Sequence, residues 1–170
     1  MRTWKAIVWL VGLGLLGPAC GVDVIEVEIK EQGQVGLAAI SFPGMEQFGA
    51  SLGRSLSDED VNPDDVDSLK LIRLQLFHRS VGVDPADLTF LHDLSLQATA
   101  TGLPAASLAS QAEFSAGTRE ADLPPADLEL KPYLEAGGMR LELDATLDPP
   151  PAALIELEVV LRFRVDVDVI

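Results

Sequence analysis

Apolar and polar residues alternate almost without error in two long stretches of the chain. Met139, Leu141, Leu143, Ala145 and Leu147 share one side of the first, with Arg140, Glu142, Asp144 and Thr146 on the other. In the second, Ala153, Ile155, Leu157, Val159, Leu161, Phe163, Val165, Val167 and Val169 fall on one face. A period of two over such lengths predicts extended strands with one buried side, because on a helix the same residues would spread around the whole circumference. Residues 22–30 alternate in the same way, with a slip at Ile25 that predicts a local irregularity. Further strand-like runs cover Leu69 to His78, Leu94 to Thr101, Leu103 to Ala109 and Leu128 to Leu130.

One segment departs from this period. After a small, Gly-rich stretch from Gly33 to Gly44, the residues Met45, Phe48, Leu52 and Leu56 recur at three- and four-residue intervals. That spacing predicts a short helix with one apolar stripe, suited to plugging an end of a sheet core. Taken together, the pattern predicts an all-β fold, an antiparallel β-sandwich with a short helix near the N-terminal side of the mature chain.

The link Asp148-Pro-Pro-Pro-Ala152 suits a hairpin between the two best strands, with Leu147 opposite Ala153. That register would set Asp144 against Glu156 and Glu142 against Glu158, at a cost of up to about 1 kcal/mol per pair. A register shifted by two, cations from a neighbouring strand, or a divalent ion would each relieve it. The final strand exceeds the usual five or six residues, which predicts that it bends or passes between sheets.

The first twenty residues follow a different logic. Arg2 and Lys5 precede an uncharged apolar run, Ala6 to Leu16, which breaks at Gly17-Pro18. About eleven residues are too few for the roughly twenty of a membrane-spanning helix, and the layout is that of an export signal. The chain's only cysteine, Cys20, sits at the point where such a signal is cut.

The run Leu16-Gly17-Pro18-Ala19-Cys20 resembles a bacterial lipobox, with Leu16 one place earlier than lipoboxes favour. The resemblance implies cleavage before Cys20 after its sulfur receives a diacylglycerol, acylation of the new amino end, and a membrane partner reached through the lipidated Cys20. Two or three acyl chains anchor a protein stably where one holds only marginally. Gly21 in place of Asp is similar to envelope lipoproteins sorted to the outer membrane. The competing expectation is ordinary secretion, with cleavage at Gly17-Pro18-Ala19 and a free thiol. On either reading residues 1–19 are a signal and 20–170 a single β-sandwich domain. Asp87 to Leu91, Ala98 to Pro104 and Tyr133 to Gly138 are loosely similar to small bacterial envelope lipoproteins. These imply a strand entered from a turn, a hairpin through Gly102 and a helical turn capped by Gly137.

Charge narrows the functions. The chain carries 12 Lys and Arg against 27 Asp and Glu, a net charge of −15. Loss of residues 1–19 removes Arg2 and Lys5, leaving 10 cations against the same 27 acids. So negative a chain excludes nucleic acid as a partner. Both tryptophans, Trp4 and Trp9, lie in the signal, so few aromatics remain for a sugar-binding face. The same scarcity argues against a membrane barrel with its aromatic girdles.

Candidate chemistry is sparse. Residues 57–68 form the densest acidic stretch, and Asp58, Asp60 and Asn62 alternate like the opening of a calcium loop. Pro63 stands where that loop needs Gly, however, and Leu69 where it needs a bidentate Glu. A turn with Asn62-Pro63-Asp64 starting a helical turn explains the same residues. His78 and His92, near Asp87 and Asp93, with Ser80 or Ser95, can be written as triads, but no nucleophile, zinc or phosphate-loop motif accompanies them. The expectation is therefore a non-catalytic protein with no cofactor and no metal, structural or recognising an envelope protein partner. A ligand- or calcium-binding module using acidic loop 58–67 or the charged hairpin face is the alternative, and a hydrolase ranks third.

Overall fold

The computed structural model describes residues 22–36 and 39–168. Two antiparallel sheets pack face to face, as the alternation predicts. The larger contains β1 (Val22–Val35), β2 (Ile40–Ser41), β3 (Val66–His78), β6 (Glu120–Leu123) and β8 (Ile155–Asp168), in the order β2-β1-β8-β3-β6. The smaller holds β4 (Leu91–Thr99), β5 (Ala106–Ala112) and β7 (Arg140–Leu147), in the order β5-β4-β7. Helix α1 (Phe48–Asp58) follows a 3-10 turn at Pro43–Gln47, and the short α2 (Lys131–Glu135) precedes β7.

The core lies between the sheets. Ile155, Leu157, Val159, Leu161, Phe163, Val165 and Val167 of β8 are buried, beside Leu69, Leu74 and Leu76 of the neighbouring β3 and in one apolar cluster with Leu94 and Leu96 of β4 in the other sheet. Phe48, Leu52 and Leu56 of α1 are fully buried, and the Phe48 ring lies 5.1 Å from that of Phe163. The four-residue spacing thus turns one helical stripe into the core. The helix closes the flank between β1 and β7, both of which it contacts, and the Gly49 N–H donates to the Met139 carbonyl at 2.9 Å.

Several sequence expectations are corrected. β7 and β8 do not form a hairpin: β7 pairs with β4 in the small sheet, while β8 lies between β1 and β3 in the large one. The Pro-rich link crosses from one sheet to the other. Asp144 therefore faces Ser95 and Glu142 faces Gln97, while Glu156 and Glu158 face Gln34 and Gln32. These four acids are kept apart by topology, since β7 and β8 do not pair. β8 stays in one sheet over its whole length, and the irregularities fall instead in β3, between Val66 and Ser68 and between Leu71 and Arg73. β1 runs without a bulge, so the slip at Ile25 simply leaves Val24 half exposed on the outer face.

The run Leu128 to Leu130 is not a strand but leads into α2. Leu103 to Pro104 belongs to the β4–β5 turn, where Gly102 adopts φ +77°, a conformation a side chain disfavours. The hairpin through Gly102 is as expected.

Register defines two ends. Val22 opposite Asp168 and Val66 opposite Val167 mark one; Val35 opposite Ile155 and His78 opposite Leu157 mark the other.

Candidate functional site

Cys20 lies outside the described residues, two positions before β1 begins. The end of the sandwich that it precedes also carries the acidic stretch. There Asp58 closes α1, Asp60 adopts φ 58°, and the Asn62 side-chain oxygen accepts the Asp64 N–H at 3.3 Å to cap a 3-10 turn at Pro63–Asp65. The capped turn anticipated from Asn62-Pro63-Asp64 is what forms. Its carboxylates point into solvent, and no group of three or more His, Cys, Asp or Glu is arranged to hold a metal among the described residues.

The opposite end is built from the loops 79–90, 113–119 and 148–154, and here His78 does structural work. It is 4% exposed, its Nε2 donates to the Pro85 carbonyl at 3.2 Å, and its Nδ1 lies 3.3 Å from the Arg119 guanidinium. The acceptor facing Nε2 and the donor facing Nδ1 are both satisfied by the tautomer that carries its proton on Nε2. The same guanidinium donates to the carbonyls of His78 and Ser80. Ser80 Oγ is engaged elsewhere, accepting the Glu156 N–H at 2.7 Å. His78 and Ser80 therefore do not form a nucleophile pair.

Asp87 clips two loops together, accepting from the Thr89 hydroxyl at 2.6 Å, the Thr89 N–H at 3.1 Å and the Gly117 N–H at 2.7 Å. Those bonds, the Thr89 hydroxyl foremost, hold its carboxyl below the ordinary aspartate value. His92 is exposed, 3.9 Å from Asp93, and Ser95 lies on the outer face of the small sheet opposite Asp144. Asp93, Ser95 and Asp144 border one open concavity of the small sheet, which neither histidine lines.

The ladder between β3 and β8 continues past His78, with the Arg79 N–H donating to the Glu156 carbonyl at 2.8 Å. Beyond it, Val81 is 86% and Leu154 63% exposed, the two most exposed large apolar side chains described. The Arg79 guanidinium covers the Phe77 ring at 4.5 Å and pairs with Glu158, so a cation from next to β3 relieves the acidic strand.

On the outer face of the large sheet, Lys30, Lys70, Arg73, Arg162 and Arg164 each meet a carboxylate: Glu28, Asp127, Asp122, Glu28 and Asp166. The Arg162 bond, at 2.8 Å, is the main cause that lowers the Glu28 carboxyl. This is a solvent face laced with ion pairs, each of small worth.

Two concavities are open and shallow. One, about 310 Å³, lies on the small sheet among Asp93, Ser95, Ser110, Asp144 and Thr146. The other, about 600 Å³, runs past Gly49, Gly53 and Gly138 beneath Glu46, Asp64 and Glu135. Neither brings a histidine to a carboxylate.

Two carboxylates that sequence reasoning passed over stand out. Glu129 accepts from Ser68 Oγ at 2.7 Å, the Leu69 N–H at 2.7 Å and the Lys131 N–H at 2.9 Å. Burial pushes its carboxyl up, but these donors outweigh burial and hold it below the usual glutamate value. Glu31 faces the core from β1, and the parity of Val27, Ile29 and Val35 would have found it. No protein-family model matches the chain, and no curated protein or solved structure is significantly similar to it.

Proposed function

We propose that this protein is a non-catalytic module of the bacterial cell envelope, tethered to the outer membrane through lipidated Cys20 and serving in recognition or assembly. One observation carries the reading: the sandwich begins at Val22, two residues after Cys20, and its exposed apolar tip, Val81 and Leu154, lies at the opposite end of β1 and β8. A strand of 14 residues spans about 45 Å at roughly 3.3 Å per residue. A domain held at Cys20 would thus present the loops 79–90 and 148–154 well away from the bilayer. Buried, backbone-bonded His78 and the ion-paired outer sheet suit a rigid stalk for those loops better than a reaction site.

Fractionation of cells expressing the chain and its Cys20→Ser variant tests the tether: the first should sediment with membranes and the second should not. For recognition, a photo-crosslinking residue at Val81 or Leu154 should yield a discrete adduct in the native envelope, while one at Asp58 should not. Equal fractionation of the two chains would overturn the tether. Absence of any adduct at the tip would overturn the contact.

A further inference from the structure

β1 is an edge strand over most of its length, since β2 pairs only with Gln34 and Val35. The core beneath that edge is sealed by residues 42–58, a strap of the 3-10 turn and α1 that buries Phe42, Met45, Phe48, Leu52 and Leu56. Into this seam β1 directs Glu31, 8% exposed, on the same face as Val27, Ile29 and Val35 and opposite Val159 of β8. Its carboxylate rests on the strap. A Cβ at Gly44 would lie 1.9 Å from Glu31 Oε2, so a side chain there would have to push the carboxylate aside.

No hydrogen bond or ion pair reaches this carboxylate among the described residues. Its charged neighbours on β1, Glu28 and Lys30, point to the outer face and pair with Arg162 and with each other. On β8, Glu158 is outward and held by Arg79. Glu46 of the strap is exposed, as are Glu142 and Asp144 of β7, which alternate with the inward Leu143 and Ala145. Among the described residues no charge of either sign faces Glu31 in the seam. Burial alone raises its carboxyl above the ordinary value of 4.5.

We propose that Glu31 is a pH-operated latch on the strap: protonated, it lies flat against Gly44 and the flank is closed; ionised, it seeks water and eases residues 42–58 away from β1. Opening uncovers the flank of the core beside the edge of β1. The inference stands apart from the tether and the tip.

The sign follows from linkage. The closed state holds its proton more tightly than the open one, so closure is favoured in acid and weakens as pH rises from about 4.5. The opening constant should climb by up to about tenfold per pH unit and level off above the closed-state value.

Hydrogen exchange of the full chain between pH 4 and 8, corrected for intrinsic rates, reads this directly. Amides of the strap should show the rise while those of β3 and β8 do not, and Glu31→Gln, which keeps the neutral shape, should abolish it. A wild-type strap with flat opening, or a Glu31→Gln chain that keeps the rise, would overturn the latch. Should that variant fail to fold, carbon-detected titration of Glu31 in the wild type replaces it. Strap amides must then move with the same midpoint as the carboxyl, and a different midpoint refutes the proposal.

Discussion

Glu129 provides a sharp test of how α2 is held to the large sheet. It bridges the irregular start of β3 to the segment entering α2, accepting from Ser68, Leu69 and Lys131 at 2.7, 2.7 and 2.9 Å. The Leu69 carbonyl accepts in turn from the Leu130 N–H at 2.8 Å. Replacement by alanine removes one acceptor from three donors, two of them backbone N–H groups. Bonds to a charged group contribute about 1.5–3 kcal/mol each, and water replaces part of that at this half-buried site. The net loss should be about 2–3 kcal/mol. For a chain of this size that is a fall in Tm of about 5–10 °C.

Because the folded carboxyl is held below its ordinary value of 4.5, its contribution is full above that value and disappears as pH falls through the depressed one. Circular-dichroism melts of wild type and Glu129→Ala at pH 7 and pH 3 measure both effects. The gap should be wider at pH 7 than at pH 3. Variants melting within a degree or so of wild type at pH 7, or a gap unchanged in acid, would refute the assignment of Glu129 as a clasp.

Three other outcomes follow from the packing. Phe163→Ala should lose about 3–5 kcal/mol in urea titration, since the ring is fully buried against Phe48; a loss under 1 kcal/mol would mean that α1 does not seal the core. Gly33→Ala should be destabilising by calorimetry, because its Cβ would lie 2.5 Å from the Phe42 ring, and a neutral result would show the strap to be loosely seated. Calcium should leave the melting temperature unchanged, the carboxylates of 58–67 being dispersed in solvent; a marked rise would restore a site there.

The legibility of this chain depended on how far apart the informative residues lie. Strands β3, β7 and β8 could be read because alternation is local, and α1 because Phe48, Leu52 and Leu56 share a stripe. Pairing was not legible. Adjacency in sequence suggests that β7 and β8 form a hairpin, but each pairs in a different sheet, and short-range turn chemistry at Pro149 to Pro151 carries no sign of the crossing.

Short elements escaped for a related reason. β6 covers four residues, and Ala121 and Leu123 are its only buried side chains, a pattern too brief to separate from a loop. The surroundings of His78 were not legible either, since its ring meets the Pro85 carbonyl of the following loop and the guanidinium of Arg119, far along the chain. Glu31 escapes for another reason: it shares the parity of Val27 and Ile29, but the alternation of apolar and charged residues stops at Lys30 while the strand runs on to Val35.

Mass analysis of the N-terminal peptide of the protein isolated from bacterial membranes tests the central claim most directly. The account predicts a chain beginning at Cys20 and carrying a diacylglyceryl group with an acylated amino end. An unmodified Cys20, or a chain that retains residues 1–19, would contradict it.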